Sequence, residues 1–329
     1  MRNFFTRVKA LVTAMMLMSA MPAAPAHAQS GMSYPRQPIR IIVPFAPGGA
    51  PDIVARLLAQ YSGESGRQFV VENITGAGGN IGMQTGARAA ADGYTVLMCT
   101  LGCASNAFLM EKLGWDPQKD IAPVMMAAVV PNVLVVGPTI ASKSVREFVD
   151  HAKSKPGSLT MASSGLGSAS HLAGEMFKSM AGVEIVHVPY RGSTAALPDI
   201  IGGRVDSMIV SLPEALALIK DGSLRALGVS SERRAGALPD VPTIAEAGVS
   251  GYTVVAWSAP FVPIGTPAEA IEWLNREFNK ALKTPEVQAR LRELSIDAGG
   301  GPPAVAGDFL RSESAAWGKL ITERGIKPQ

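Results

Sequence analysis

The stretch IRIIVPFAPGGAPDIVARLLAQ, residues 39–60, constrains the fold more than any other part of the chain. Its first five residues, Ile39 to Val43, form an apolar run rich in β-branched side chains, the pattern of a buried parallel strand. Pro44, Pro47 and the pair Gly48–Gly49 break that run, and the spacing of Ile53, Val54, Leu57 and Leu58 predicts a helix. Pro51 suits the first helical turn, where a missing N–H loses no bond, and Asp52 suits the positive end of the helix dipole. A strand, a glycine turn and a helix start aim unpaired backbone N–H groups outward, a generic cradle for an anion. An ordinary tight βα turn reads the same way.

The N-terminus speaks to compartment. Arg2, Arg7 and Lys9 precede a short apolar run from Ala10 to Ala20, and Ala26-His27-Ala28 is a small-x-small cleavage site. This is the pattern of a secretory signal peptide cleaved after Ala28, too short for a comfortable membrane span. Residues 1–28 hold three of the 30 basic residues and none of the 27 acidic ones, so the rest of the chain balances 27 against 27. A basic field for nucleic acid or an anionic membrane is therefore missing. The two cysteines, Cys99 and Cys103, are too few for a structural zinc site. In an oxidising compartment they could form a small local disulfide or stay reduced, and the spacing decides neither.

Beyond the first unit, strand and helix patterns alternate. Strands are expected at Gln68–Glu72, Tyr94–Met98, Leu159–Ala162, Glu184–Val188, Ser207–Ser211 and Leu224–Ser230. Helices are expected at Ile81–Ala90, Val145–Ser154, from near Ser170, Glu214–Lys220, Ala268–Leu282, Pro285–Leu294 and Val305–Arg324. The run from Pro123 to Val136 is apolar but interrupted by Pro131. Such alternation predicts an α/β protein with mainly parallel sheets. Two sets of βα modules, each with its own glycine-rich turn at a strand end, argue for two domains. The expected division is 29–130 with 252–329, and 131–251, with the ligand in the cleft between them.

Most constellations with possible chemistry fail. GAGGNIG, residues 76–82, lacks dinucleotide spacing and does not leave a strand directly. No G-x-S-x-G elbow is present. His171 and Glu175 share a helix face, but no second His or carboxylate joins them in a ligand motif, so a capping or core histidine is expected. SSGLGSAS, residues 163–170, is more informative: Ser168 or Ser170 can cap the helix that follows, leaving the other hydroxyls, among them Ser163 and Ser164, and the amides of Gly165 and Gly167 to face a polar ligand. Tyr190 and Arg191 follow another strand end, where Arg191 could clamp a carboxylate or form a surface pair. Asp206 opens a strand and Ser211 closes it, the second a candidate cleft residue.

Nine stretches in order carry a resemblance across nearly all of the chain after residue 28: PFAPGGAPDIVAR, VVENITGAGGNIG, ADGYTVL, LGWDPQKDIAPV, MASSGLGSASHLAGE, VPYRGSTAALPDIIGGRVD, GSLRALGVSSERR, LPDVPTIAEAG and PIGTP. The chain resembles the Bug family of periplasmic solute-binding receptors of tripartite tricarboxylate transporters. That resemblance implies a two-lobed periplasmic binding protein fold, type II-like, each lobe a mainly parallel sheet flanked by helices. It implies a small organic carboxylate as ligand, a membrane permease as partner, no cofactor and no catalysis; nothing in the chain resembles an assembly motif, so a monomer is expected. It also implies that Phe45, Ala46, Pro47, Gly48, Gly49 and Asp52 grip the carboxylate together with Ser163, Ser164, Gly165 and Ser168, with Tyr190 and the loop of Thr100 and Cys103 nearby. Pro51, the two cysteines and Asn106-Ala107 depart from the family pattern, which points to a ligand with a less polar far end, an aromatic or short aliphatic acid. Two rivals stay open: a periplasmic hydrolase built on Ser163, Ser164 or Ser168, and a receptor that signals instead of transporting.

Overall fold

The computed structural model describes residues 34–62, 69–323 and 325–326. The signal segment and its cleavage after Ala28 lie outside these residues. The first unit is β1 (Ile39–Val43), a turn, and α1 (Ala50–Tyr61), followed by β2 (Phe69–Asn73). A 3-10 turn at Ala77–Gly79 leads into α2 (Asn80–Ala87), then β3 (Thr95–Cys99) and α3 (Leu101–Leu109). β1 lies between β2 and β3 with both pairings parallel, which explains its apolar run: it is covered on both faces.

A second parallel set follows the same grammar. After β4 (Ile121–Pro123), β5 (Met126–Val136) and α4 (Val145–Ser154) come β6 (Thr160–Ser163), α5 (Ala169–Ala181) and β7 (Val186–Pro189). Then follow α6 (Ser193–Ile201), β8 (Ser207–Ser211), α7 (Leu212–Lys220) and β9 (Arg225–Val229). β6 pairs in parallel with β7 and β8. The chain closes with β10 (Val255–Pro263), α8 (Ala268–Leu282), α9 (Pro285–Glu293), β11 (Asp297–Gly300) and α10 (Pro303–Glu323).

Two long strands join the sets. β5 pairs antiparallel with β10 and β11 up to Pro131, then with β8 and β9 from Asn132 onward. β10 pairs with β5 through Val255–Ser258, then with β3 and β4. The parallel sets are thus stitched together by antiparallel strands, and the sheet is mixed. Pro131 does not interrupt β5. It sits where the strand exchanges partners, a place where a missing N–H is tolerated. Next to it the Asn132 side chain donates to Val254 O at 3.0 Å, and the Asn132 amide donates to Ser230 Oγ at 3.0 Å. The C-terminal helices return to the first set: Ser314 in α10 donates to Ala104 O of α3 at 2.8 Å. β11, with the sequence Asp-Ala-Gly-Gly, carries no strand pattern, and pairing with β5 alone makes it one.

Candidate functional site

The turn after β1 is held from inside. Asp52 is buried in the first turn of α1, where Oδ2 accepts from the Gly48 amide at 3.0 Å and from Arg56 Nε at 2.9 Å. Oδ1 accepts from Asn73 Nδ2 at 2.9 Å, and the same amide nitrogen donates to Phe45 O. Burial works to raise the Asp52 carboxyl, but hydrogen bonds from Arg56, Gly48 and Asn73 outweigh it and hold it below its ordinary value of 3.8. Asp52 therefore shapes the turn. The open side of α1 has Gly49 as N-cap, which has no side chain of its own to cap the first amides.

The turn after β6 is held by hydroxyls. Ser168 caps α5, accepting from the His171 amide at 3.3 Å and donating to Gly165 O at 2.5 Å. Ser170 Oγ accepts from the Ser164 amide at 2.8 Å and lies 2.9 Å from Ser164 Oγ. The 3-10 turn after β2 comes close to the turn after β6. A Cβ built on Gly78, which has φ +60°, would stand 1.7 Å from Leu166 O, so backbone meets backbone where the two sets face.

Between these turns lies a cavity of about 50 Å³, on a scale where one water needs roughly 10–15 Å³. Of the candidate residues, Phe45, Ala46, Gly49, Thr100, Ser164 and Ser211 line it. Helix starts surround it: Gly49–Pro51 of α1, Thr100–Leu101 of α3, Ala169–Ser170 of α5, Gly192–Thr194 of α6 and Ser211 of α7. Val130, Met208, Val210, Ala256 and Trp257 supply an apolar wall from the sheet, and Ser258 a further hydroxyl. The last lining residue is Glu214, the one ionisable side chain among them. Its Oε1 accepts from the Ala50 amide at 3.1 Å and its Oε2 from Ser193 Oγ. Burial pushes the Glu214 carboxyl up, against the pull of bonds from Ser193, Ala50 and Ser211. Sequence reasoning missed Glu214 because it reads as a dipole-favoured residue in the first turn of α7.

The other candidates stand behind the wall or away from it. Pro47 and Gly48 belong to the turn but not to the lining. Cys103 is bonded to Cys99 and fully buried, so the disulfide staples β3 to α3 beneath Thr100 and Leu101. Gly165 donates to Ser163 Oγ at 3.2 Å. Tyr190 donates to Asp199 at 2.8 Å, and Arg191 is exposed outside the lining. Asp206 accepts from the amide and hydroxyl of Thr160, both at 2.8 Å, and so ties β8 to β6 at the end of β8 opposite Ser211.

The fold does bring a second histidine to His171 and Glu175, which spacing along the chain does not reveal. The rings of His171 and His187 lie 4.4 Å apart, and one ligand-type atom from each of the three residues falls within 4.8 Å of the others. The hydrogen bonding does not fit a metal centre. The Gly167 amide donates to His171 Nδ1 at 3.2 Å, which puts the proton of the neutral ring on Nε2, facing Glu175. Lys178 already meets Glu175 at 2.6 Å. Burial, then the neighbouring His187 and Lys178, push the His171 pKa down to about 3. Ser163 Oγ lies 2.7 Å from His187 Nε2, a spacing that suits a nucleophile and its base. Ser163 is fully buried, however, and does not line the cavity.

Comparison with known proteins agrees with this geometry. Residues 54–326 match the tripartite tricarboxylate transporter family receptor. Among curated relatives, a UPF0065 protein in the tcbD-tcbE intergenic region of Pseudomonas sp. strain P51 is 42% identical over 306 residues, 92% of this chain and 91% of its own. Protein BugT of Bordetella pertussis is 37% identical over 313 residues, 93% of this chain and 94% of its own. Among solved structures, Rpa4515 of R. palustris with adipate superposes with a TM-score of 0.87 at 38% identity, covering 90% of this chain and all (100%) of its own. MatC (Rpa3494) of Rhodopseudomonas palustris with bound malate gives 0.83 at 31% identity, covering 88% and 100%. A mixed α/β sheet with helix starts gathered on one cavity is thus the architecture of two-lobed periplasmic binding proteins, and this chain belongs to the tripartite tricarboxylate transporter receptor family.

Proposed function

We propose that the protein is a periplasmic receptor that captures a small organic carboxylate between two lobes and delivers it to a membrane permease. The observation that carries this reading is the convergence of five helix starts on one small cavity with an apolar wall. Helix starts present N–H groups and positive dipole ends to an anion, and the apolar wall excludes water, which strengthens each contact. The lobes are residues 29–130 with 252–329, and 131–251, with β5 and β10 as the connections. Closure brings the Gly78 and Leu166 backbones together, so ligand binding shifts an open–closed equilibrium through contacts made only when closed. The adipate and malate in related structures support a carboxylate as ligand.

We read the receptor as non-catalytic. Ser163 and His187 are the nearest thing to a nucleophile and base, and their bond secures the turn after β6 from behind. The test is thermal unfolding of the purified protein with short carboxylic acids and their amides. A free acid at about 100 times its dissociation constant should add about 2.7 kcal/mol of stability, while its amide adds none. Gly78→Val should remove the shift, because its Cβ would block closure. If no acid shifts the midpoint and an ester is consumed instead, the receptor reading fails.

A further inference from the structure

A receptor for an anion would be expected to avoid anions in its own site, yet the one ionisable group lining this cavity is the carboxylate of Glu214. It is not a bystander. It accepts from the first amide of α1 and from the Ser193 hydroxyl at the start of α6. Those donors come from two of the five helix starts, so Glu214 already occupies the place where one end of a dicarboxylate would find its hydrogen bonds. The polar groups left over are Thr100, Ser164, Ser170, Thr194 and Ser258, with the start of α3. They suffice for one further carboxylate.

We propose that Glu214 is a specificity-determining residue that supplies, from within the protein, the second negative charge of the site, so that the cavity takes a short monocarboxylate and turns away dicarboxylates. This rests on the carboxylate-receptor reading above. Two unit charges about 6 Å apart at an effective dielectric of about 20 repel strongly enough to weaken binding on the order of 100-fold. A ligand that brings an amine, amide or hydroxyl to Glu214 instead gains a charge-assisted hydrogen bond. The apolar wall of Val130, Met208, Val210 and Trp257 suits an aliphatic stem between the two ends, and the small volume keeps that stem short. Burial pushes the Glu214 carboxyl up and so disfavours its charged form, a ligand group that donates to it stabilises the carboxylate, and a second carboxylate in the cavity pushes it further up.

The experiment is calorimetric titration of the wild-type protein and of Glu214→Gln with three probes of one length: pentanoate, 5-aminopentanoate and glutarate. Gln keeps an acceptor for the Ala50 amide and removes the charge. The wild-type protein should bind 5-aminopentanoate most tightly, and either monocarboxylate at least 10-fold more tightly than glutarate. In the variant, glutarate should gain on the order of 100-fold relative to 5-aminopentanoate. If the wild-type protein binds glutarate as tightly as the monocarboxylates, the inference is overturned while the receptor reading stands. Binding of none of the three, with no shift by other short acids, removes the receptor reading and the inference with it. The wild-type panel decides the matter alone if the variant does not fold.

Discussion

The two turns that face each other across the cavity follow one plan and are held by opposite chemistry. Phe45–Gly49 is fixed by a buried ion: Asp52 gathers Gly48, Arg56 and Asn73, and no side chain caps α1. Ser163–Ser170 is fixed by neutral groups: Ser168 caps α5, Ser164 and Ser170 share a bond, and uncharged histidines back the turn. The first arrangement leaves bare backbone amides at its open face, and an internal carboxylate from α7 takes one of them. The second spends one hydroxyl on the cap and still presents the hydroxyls of Ser164 and Ser170. A charge placed behind a turn can shape it without facing the ligand, whereas a cap made of hydroxyls serves both ends.

The contrast can be broken by mutation. Asp52→Ala removes a buried carboxylate, and with it the acceptor of Arg56 and of the Gly48 amide and one of the two acceptors of the Asn73 amide, and should cost about 3 kcal/mol of stability by urea unfolding. Because the folded Asp52 sits below its ordinary value of 3.8, its contribution is present above that pH and disappears as pH falls through the lower folded value. A variant as stable as the parent would mean that the first turn needs no ion.

The second turn should respond to acid at a milder pH. His171 falls from an ordinary 6.5 to about 3 on folding, so the unfolded chain takes the proton first. Stability is unaffected above pH 6.5, declines as pH falls below it, and stops declining near pH 3. At pH 5 the loss is about 2 kcal/mol at roughly 1.4 kcal/mol per unit. His187, Lys178 and Glu175 face the same ring, and His187 is itself lowered by burial. His171→Asn, which can still accept from Gly167, should flatten this part of the curve. An unchanged slope would show that His171 is not held neutral.

The smallest effect belongs to the cap. Ser168→Ala should cost about 1 kcal/mol, with Ser164 and Ser170 still bonded to each other. A loss as large as that of Asp52→Ala would mean that the hydroxyl network acts as one unit and that the two turns differ less than their chemistry suggests.

Much of the architecture was readable along the chain because its signals are local. Val145–Ser154, Ser207–Ser211 and Ala268–Leu282 form as the apolar periodicity predicts. The two glycine-bearing turns follow from prolines, glycines and serines at helix starts, and the nine family stretches mark both. β11 escaped because Asp-Ala-Gly-Gly becomes a strand only by pairing with β5. Helix α3 escaped because LGCASNAFL, with its glycine, serine and asparagine, carries no clear amphipathic period. Candidate residues such as Asp52, Ser163 and Asp206 were visible as polar groups at turns and strand ends, but their direction was not. All three point into supporting bonds.

The sequence by itself determined the α/β alternation, the family and the two turns, since backbone propensity, turn chemistry and hydrophobic period act over a few residues. Tertiary structure alone decided which groups meet. Glu214 reaches Ala50 across 164 positions, His187 reaches Ser163 across 24, and β5 changes partners at Pro131. Those contacts depend on how two parallel strand sets are joined through β5 and β10, and no local pattern records that.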